Sequence, residues 1–143
     1  MSKEENLSVE LELTPKHLDV ISHALELYCR LQIGQFDLID WLFHYSEHFN
    51  DIDRKKAKII LEELRKTYFP DLSPHSSYGI GSAEVPQNAK IAYEINKLIR
   101  YEQWLLDDER TIMNVDSYPP RKISDEPMPN VNIKKGKWHS HFF

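Results

Sequence analysis

The stretch TPKHLDVISHALELYCRLQIG, residues 14–34, decides the fold class because it carries the signals of a long amphipathic helix. Thr14 is a favourable N-cap residue, and Pro15 fits the first helical position. Gly34 is a typical residue for ending a helix. The apolar residues between these ends recur at helical spacing, at Leu18, Ile21, Leu25 and Tyr28.

Three further segments show the same periodicity. QFDLIDWLFHY predicts a short helix from Gln35 to about Tyr45. A third helix is predicted from Arg54 to about Tyr68, with Asp51 or Asp53 as its cap. A fourth is predicted from Pro86 to about Asp108. The sequence therefore predicts a mainly α protein with about four helices.

The two ends of the chain differ from this helical body, which spans about residues 14–108. Residues 7–13, LSVELEL, alternate apolar and polar side chains, which predicts a half-buried strand. Residues 114–143 form a proline-rich tail, in which VNIKK, residues 131–135, is a second candidate strand. We expect these two strands to pair within a single domain.

Composition limits the classes of function. The chain has 143 residues and a net charge of −5, which argues against binding to duplex nucleic acid. The basic end, residues 121–143, carries +3, so it is expected to lie on the acidic body or on a partner subunit. No apolar run is long enough for a membrane span, the start lacks a secretory signal pattern, and Cys29 is the single cysteine. These features predict a cytoplasmic protein.

The loop HSSYGIGS, residues 75–82, holds two of the four glycines of the chain. Gly79 and Gly81 permit a positive φ or the close approach of a ligand to the backbone, and the serines add hydroxyl donors. Such a loop can present N–H groups to an anion. A plain turn between two helices is the alternative, because the dinucleotide-binding fingerprint and the P-loop lysine are both missing.

The fourth predicted helix and the turn after the first helix offer cations and aromatic rings. One face of the helix alternates the two types at spacings of four, three and four, at Tyr93, Lys97, Arg100 and Trp104. In the turn YCRLQIGQF, residues 28–36, Arg30 offers a fork for phosphate and Gln35 an amide for a base edge. An ordinary amphipathic face and an ordinary helix end are the alternatives.

No catalytic, cofactor or metal site is predicted. HYSEH, residues 44–48, matches a zinc-protease pattern, but the match is short and has no obvious third ligand. His139 and His141 lie among aromatic residues that fit an apolar contact equally well. Cys29 is expected to be a buried, inert thiol. The sequence therefore gives no support for an enzyme.

Three motifs resemble those of a set of small phage-encoded proteins. These are YCRLQIGQF, SSYGIGSAEVP and AYEINKLIRYEQW, which correspond to a Y-x-R-x-x-x-G-Q-F turn, an S-Y-G-I loop and an A-Y-x-I-x-x-x-I-R helix. The set resembles the phage anti-CBASS sponges, which sequester cyclic dinucleotides such as cyclic GMP-AMP. The likeness runs from the start of the first helix to about Trp104 and does not extend to the tail.

The resemblance implies a non-catalytic homo-oligomer that acts in the host cytoplasm, with ligand sites near subunit interfaces. Together with Lys97 and Trp104 of the fourth predicted helix, it gives a candidate ligand-binding set of Tyr28, Arg30, Gln35, Phe36, Ser77, Tyr78, Gly79, Ile80, Tyr93, Lys97, Arg100 and Trp104.

In the leading interpretation Arg30 and Arg100 pair with phosphates, while Tyr78, Tyr93 and Trp104 stack on bases. The backbone N–H groups of residues 77–81 add further contacts to the anion. The alternative is a protein-interaction module without a small ligand, in which the loop, Trp104 and the tail contact a host or phage protein.

Overall fold

Four helices form the described part of the chain in a computed structural model, which describes residues 6–44, 53–107 and 113–136. The helices are α1 (Pro15–Gln32), α2 (Asp37–His44), α3 (Arg54–Tyr68) and α4 (Gln87–Leu106). A single 3-10 turn follows at Val115–Ser117. The predicted mainly α class is confirmed, and each helix lies within a few residues of its predicted bounds.

The ends of α1 and α3 follow from local capping. The Thr14 hydroxyl accepts a hydrogen bond from the backbone N–H of His17, whose Nδ1 accepts from the N–H of Thr14, each at 3.1 Å. The Asp53 carboxylate caps α3 by accepting from the N–H of Lys56 at 3.1 Å. The sequence left the cap of α3 open between Asp51 and Asp53, and the structure shows that it is Asp53.

Helices α1 and α4 pack against each other and run in opposite directions. The Ser22 hydroxyl donates to Asn96 Oδ1 at 2.5 Å in the middle of this pair. At one end Ile33, after α1, packs with Val85 and Ala89 at the start of α4. These apolar side chains are almost fully buried, so they fix the start of α4 beside the end of α1.

Residues 113–126, which include the 3-10 turn, run back along α4, and we call this segment the strap. Lys97 Nζ donates to the carbonyl of Val115 at 2.8 Å, and the N–H of Asp125 donates to Gln87 Oε1 at 2.7 Å. Between these contacts the buried carboxylate of Glu94 accepts from the N–H groups of Ile123 and Ser124, at 2.9 and 3.2 Å. Residues 113–126 of the tail region therefore lie on the body of their own chain through side chains of α4.

The predicted strand pair is wrong. Neither residues 7–13 nor residues 131–135 form a strand in the described part of the chain. Leu7, Val9 and Leu11 are 68 to 85% exposed, so the alternating pattern buries no face. A strand needs a neighbour for its backbone N–H and C=O groups, and local alternation does not supply one.

Candidate ligand-binding site

The turn at residues 28–36 and the loop at residues 75–82 come together in the structure. Arg30 Nη1 donates to Gln35 Oε1 at 2.6 Å, and Gln35 Nε2 donates to the Ser77 hydroxyl at 3.2 Å. The N–H of Tyr78 donates to the carbonyl of Ile33 at 2.9 Å. Two of the three sequence motifs therefore form one polar surface, although more than forty residues separate Gln35 from Ser77.

Arg65 of α3 links the turn at residues 28–36 to the loop at residues 75–82. Its side chain is buried, and Nε donates to the carbonyl of Gly34 at 3.1 Å. Nη2 donates to the carbonyl of Ser73 at 2.7 Å and also to that of Ser76, while Nη1 pairs with Glu62 at 3.2 Å. A single guanidinium thus fixes three backbone carbonyls, which is a use of the planar fork that lysine does not reproduce.

Sequence reasoning missed Arg65, although a signal was present. Ala57, Leu61 and Arg65 follow one another at intervals of four residues, which places the arginine on the inward stripe of α3. A buried charge requires partners, so an arginine on an apolar stripe indicates a nearby cluster of acceptors.

Positive φ angles occur at Gly34 and His75, not at the glycines of the loop. Gly34 has φ of 95°, and a Cβ there would lie 2.7 Å from Leu72 Cδ1. His75 has φ of 62°, a left-handed conformation in which histidine is among the enriched residues. Gly79 and Gly81 have no positive φ, and a Cβ at either would meet nothing within 4 Å. Neither local strain nor packing accounts for these two glycines.

A cleft of about 350 Å³ lies between the turn, the loop and the helices α2 and α3. Arg30 lines it with its side chain 43% exposed and paired to Glu26 at 2.8 Å. Gln35, Ser77, His75 and the half-exposed Trp41 add hydrogen-bonding groups and an aromatic ring, and the carboxylates of Asp37 and Glu62 also line the cleft. We call this space the turn–loop cleft.

The other aromatic and apolar residues of the two motifs pack inside the protein. Phe36 is buried, with its ring centroid 5.9 Å from that of Phe69, and Tyr78 is 6.1 Å from the same ring. Tyr78 and Ile80 also pack on the cluster formed by Ile33 and its neighbours. This packing accounts for these side chains without a ligand, whereas Tyr28 is about half exposed.

The predicted α4 face lies elsewhere. Arg100 pairs with Asp116 of the strap, with Nε 2.9 Å from Oδ1 and Nη2 3.2 Å from Oδ2. Lys97 holds the strap through the carbonyl of Val115, and Trp104 stacks on Tyr101 with ring centroids 6.5 Å apart. Tyr93 is partly buried. The structure therefore does not bring Arg100 and Trp104 into the turn–loop cleft.

Arg100 and Trp104 line a second cleft, of about 400 Å³, between α1 and α4. Four carboxylates share this cleft with the single arginine, so it disfavours a phosphate group. They belong to Asp19, Glu26, Asp107 and Asp116.

Two buried titratable groups, Glu94 and Cys29, have shifted pKa values. Burial alone raises the pKa of Glu94, but hydrogen bonds from the Ser124 hydroxyl and from the N–H groups of Ile123 and Ser124 outweigh it, with help from the charge of Lys122. The pKa of Glu94 therefore lies below its ordinary value of 4.5. Burial raises the pKa of Cys29, so this thiol resists ionisation, as the sequence predicted for an inert cysteine.

Neither a cluster of metal ligands nor a membrane-spanning helix occurs in the described ranges. There, no group of three or more His, Cys, Asp or Glu side chains is arranged to hold a metal ion. Residues 45–48 of the HYSEH motif, as well as His139 and His141, lie outside those ranges. None of the helices just described combines the length and apolar character that crossing a membrane requires.

No protein-family model, curated protein or solved structure matches this chain.

Proposed function

We propose that this protein is a non-catalytic binding protein that sequesters a small phosphorylated ligand, a cyclic nucleotide such as cyclic GMP-AMP, in the turn–loop cleft. The observation that carries the proposal is the convergence of Arg30, Gln35 and Ser77 through direct hydrogen bonds at the mouth of one cleft. The resemblance of the turn and loop motifs to phage anti-CBASS sponges supports the same ligand class, and counter-defence is then the biological role.

The chemistry of the cleft suits a nucleotide. Arg30 offers a charged fork to a phosphate, Ser77 a hydroxyl, and Trp41 a ring on which a base can stack. Cavities that bind small molecules usually have volumes of about 300–1,000 Å³, and this cleft lies within that range.

Binding requires Arg30 to exchange one anion for another. Its present partner is Glu26, in a pair that is partly exposed to solvent. Exposed pairs contribute about 0–1 kcal/mol, whereas a hydrogen bond to a charged group contributes about 1.5–3 kcal/mol. Loss of the Glu26 contact therefore costs little free energy when a phosphate takes its place on Arg30.

Calorimetric titration with a panel of cyclic mono-, di- and trinucleotides tests the proposal, followed by chromatographic recovery of each ligand. Arg30→Gln should weaken binding about 10- to 100-fold, which corresponds to the loss of one charged phosphate contact. Arg54→Gln is the matched control, because Arg54 is equally exposed and also pairs with a carboxylate, that of Asp40. Equal affinities for both variants, or no binding by the wild type, would contradict the proposal.

The α4 half of the predicted site has its own test. Arg100→Glu should leave ligand affinity unchanged if the turn–loop cleft is the whole site, because Arg100 is bound to the strap. A loss of affinity without a loss of helicity would instead extend the site to α4, as the sequence predicted.

A protein-interaction module remains the second candidate, and the strap supplies its supporting observation. Met113, Val115 and Tyr118 are each more than half exposed on this segment. If a host or phage protein binds there, Tyr118→Ser should abolish its co-purification and leave nucleotide binding unaffected.

A further inference from the structure

The turn–loop cleft contains two carboxylates that do not serve the binding of phosphate. Asp37 and Glu62 line it together with Arg30. A carboxylate near a phosphate opposes binding, unless it meets a hydrogen-bond donor elsewhere on the ligand. Ionised carboxylates only accept hydrogen bonds, so that donor must be an N–H or O–H group. On a nucleotide, such donors belong to the base and the sugar.

The two carboxylates differ in what they already bind. Glu62 Oε1 accepts from Arg65 Nη1 at 3.2 Å, and the same guanidinium is held by carbonyls of the turn and the loop. Asp37 is exposed, and its carboxylate forms no hydrogen bond or ion pair with any residue that the structure describes. Both oxygens of Asp37 can therefore accept from a ligand, whereas Glu62 is already engaged by the protein.

Asp37 also lies beside the ring on which a base can stack. Asp37 and Trp41 are four residues apart on α2, and both line the turn–loop cleft, so they share one face of this helix. Side chains at this spacing have Cβ atoms about 5–6 Å apart. A base stacked on the Trp41 indole thus has an edge within reach of the Asp37 carboxylate, so the donor that Asp37 meets belongs to the base.

We propose that Asp37 makes the turn–loop cleft selective for guanine. Guanine presents two neighbouring donors, N1–H and the 2-amino group, which match the two oxygens of one carboxylate. Adenine and cytosine each have an unprotonated ring nitrogen beside the amino group, and this nitrogen would face a carboxylate oxygen with no proton between them. Uracil has one N–H between two carbonyl oxygens. A site built to accept hydrogen bonds discriminates strongly against a ligand that lacks the donors.

This inference rests on the proposed function, because it names the base bound at the same site. Calorimetric titration of the full chain with cyclic di-GMP, cyclic di-IMP and cyclic di-AMP tests it. Each ligand carries two identical bases, so the result does not depend on the orientation of the ligand in the cleft. The hypoxanthine of cyclic di-IMP keeps the N1–H of guanine and lacks the 2-amino group.

We expect the wild type to bind cyclic di-GMP at least about 10-fold more tightly than cyclic di-AMP, with cyclic di-IMP between them. Equal affinities for the three ligands would overturn the selectivity and leave the proposed function intact. If none of the three binds, the selectivity is wrong, and the wider panel of cyclic nucleotides decides the proposed function separately.

Asp37→Asn assigns the selectivity to this residue. An asparagine amide can accept from the amino group of adenine and donate to a ring nitrogen. The variant should therefore lose about 10-fold in affinity for cyclic di-GMP and keep or gain affinity for cyclic di-AMP. Asp19→Asn is the matched control, because Asp19 is an exposed carboxylate that lines the second cleft instead. Equal losses for both ligands, as damage to the fold would produce, or an unchanged preference for guanine would contradict the role of Asp37.

Discussion

Replacing Arg65 should be the most damaging single change in α3. Arg65→Met keeps most of the aliphatic stem but removes the guanidinium that binds the carbonyls of Gly34, Ser73 and Ser76. The turn and the loop then lose their common donor. The carbonyl of Ser73 keeps the N–H and the hydroxyl of Ser76, whereas the carbonyls of Gly34 and Ser76 lose the donor that the buried guanidinium supplies.

The expected cost follows from the burial of this group, whose side chain is only 5% exposed. A buried carbonyl left without a donor costs about 1–3 kcal/mol, so the two carbonyls of Gly34 and Ser76 together cost about 2–6 kcal/mol. For a chain of this length each kcal/mol lowers the melting temperature by about 2–4 °C, so Arg65→Met should lower it by roughly 10 °C. The melting temperature of Arg65→Lys should lie between those of the wild type and Arg65→Met. An ammonium keeps the charge but lacks the planar fork that reaches three carbonyls.

Urea and thermal unfolding, followed by circular dichroism, measure this effect. Arg54→Met is the control, because Arg54 forms a partly exposed pair with Asp40 and its loss should cost less than about 1 kcal/mol. If Arg65→Met were as stable as Arg54→Met, the role of Arg65 as the link between turn and loop would be refuted.

Three other predictions concern the strap and the glycines. Because the pKa of Glu94 is lowered in the folded state, the ionised carboxylate stabilises the fold at pH values above its ordinary pKa of 4.5. This stability is lost as the pH falls below 4.5. The free energy of unfolding in urea should therefore change less with pH, below pH 4.5, for Glu94→Gln than for the wild type. Gly34→Ala should cost at least about 1–2 kcal/mol in unfolding free energy, because of its positive φ and the contact with Leu72. Gly79→Ala and Gly81→Ala should each change the free energy of unfolding by under about 1 kcal/mol. If the ligand contacts the loop backbone, both substitutions should weaken ligand binding in calorimetry. Unchanged binding would show that the ligand does not contact this backbone.

The helices were predictable because their signals are local. Thr14 and Pro15 at the start of α1 and Asp53 before α3 act through contacts within one turn of the chain, so spacing alone placed them. The strand at residues 7–13 was wrong for the opposite reason. A strand depends on a partner that is distant in sequence, and alternation between apolar and polar residues does not show whether one exists.

The candidate site divides in the same way. The turn and the loop were both identified as candidates, and the structure brings them together through Arg65, a residue in a third segment. Arg100 was predicted to face a ligand because its spacing on α4 is suitable, but spacing says nothing about the return of the strap. Asp116, sixteen residues later, occupies the guanidinium.

Polar hubs compensate for the small apolar core of the described chain. The fully buried apolar cluster at the end of α1 has few members, whereas Arg65 and Glu94 are buried charges that each bind several backbone groups. A buried charge stabilises the fold only when all its hydrogen-bond partners are in place. Arg65 therefore holds the loop in a single arrangement, and Glu94 does the same for the strap. A loop that is held in one arrangement before a ligand arrives has a lower ordering cost on binding, which would favour affinity for the proposed ligand.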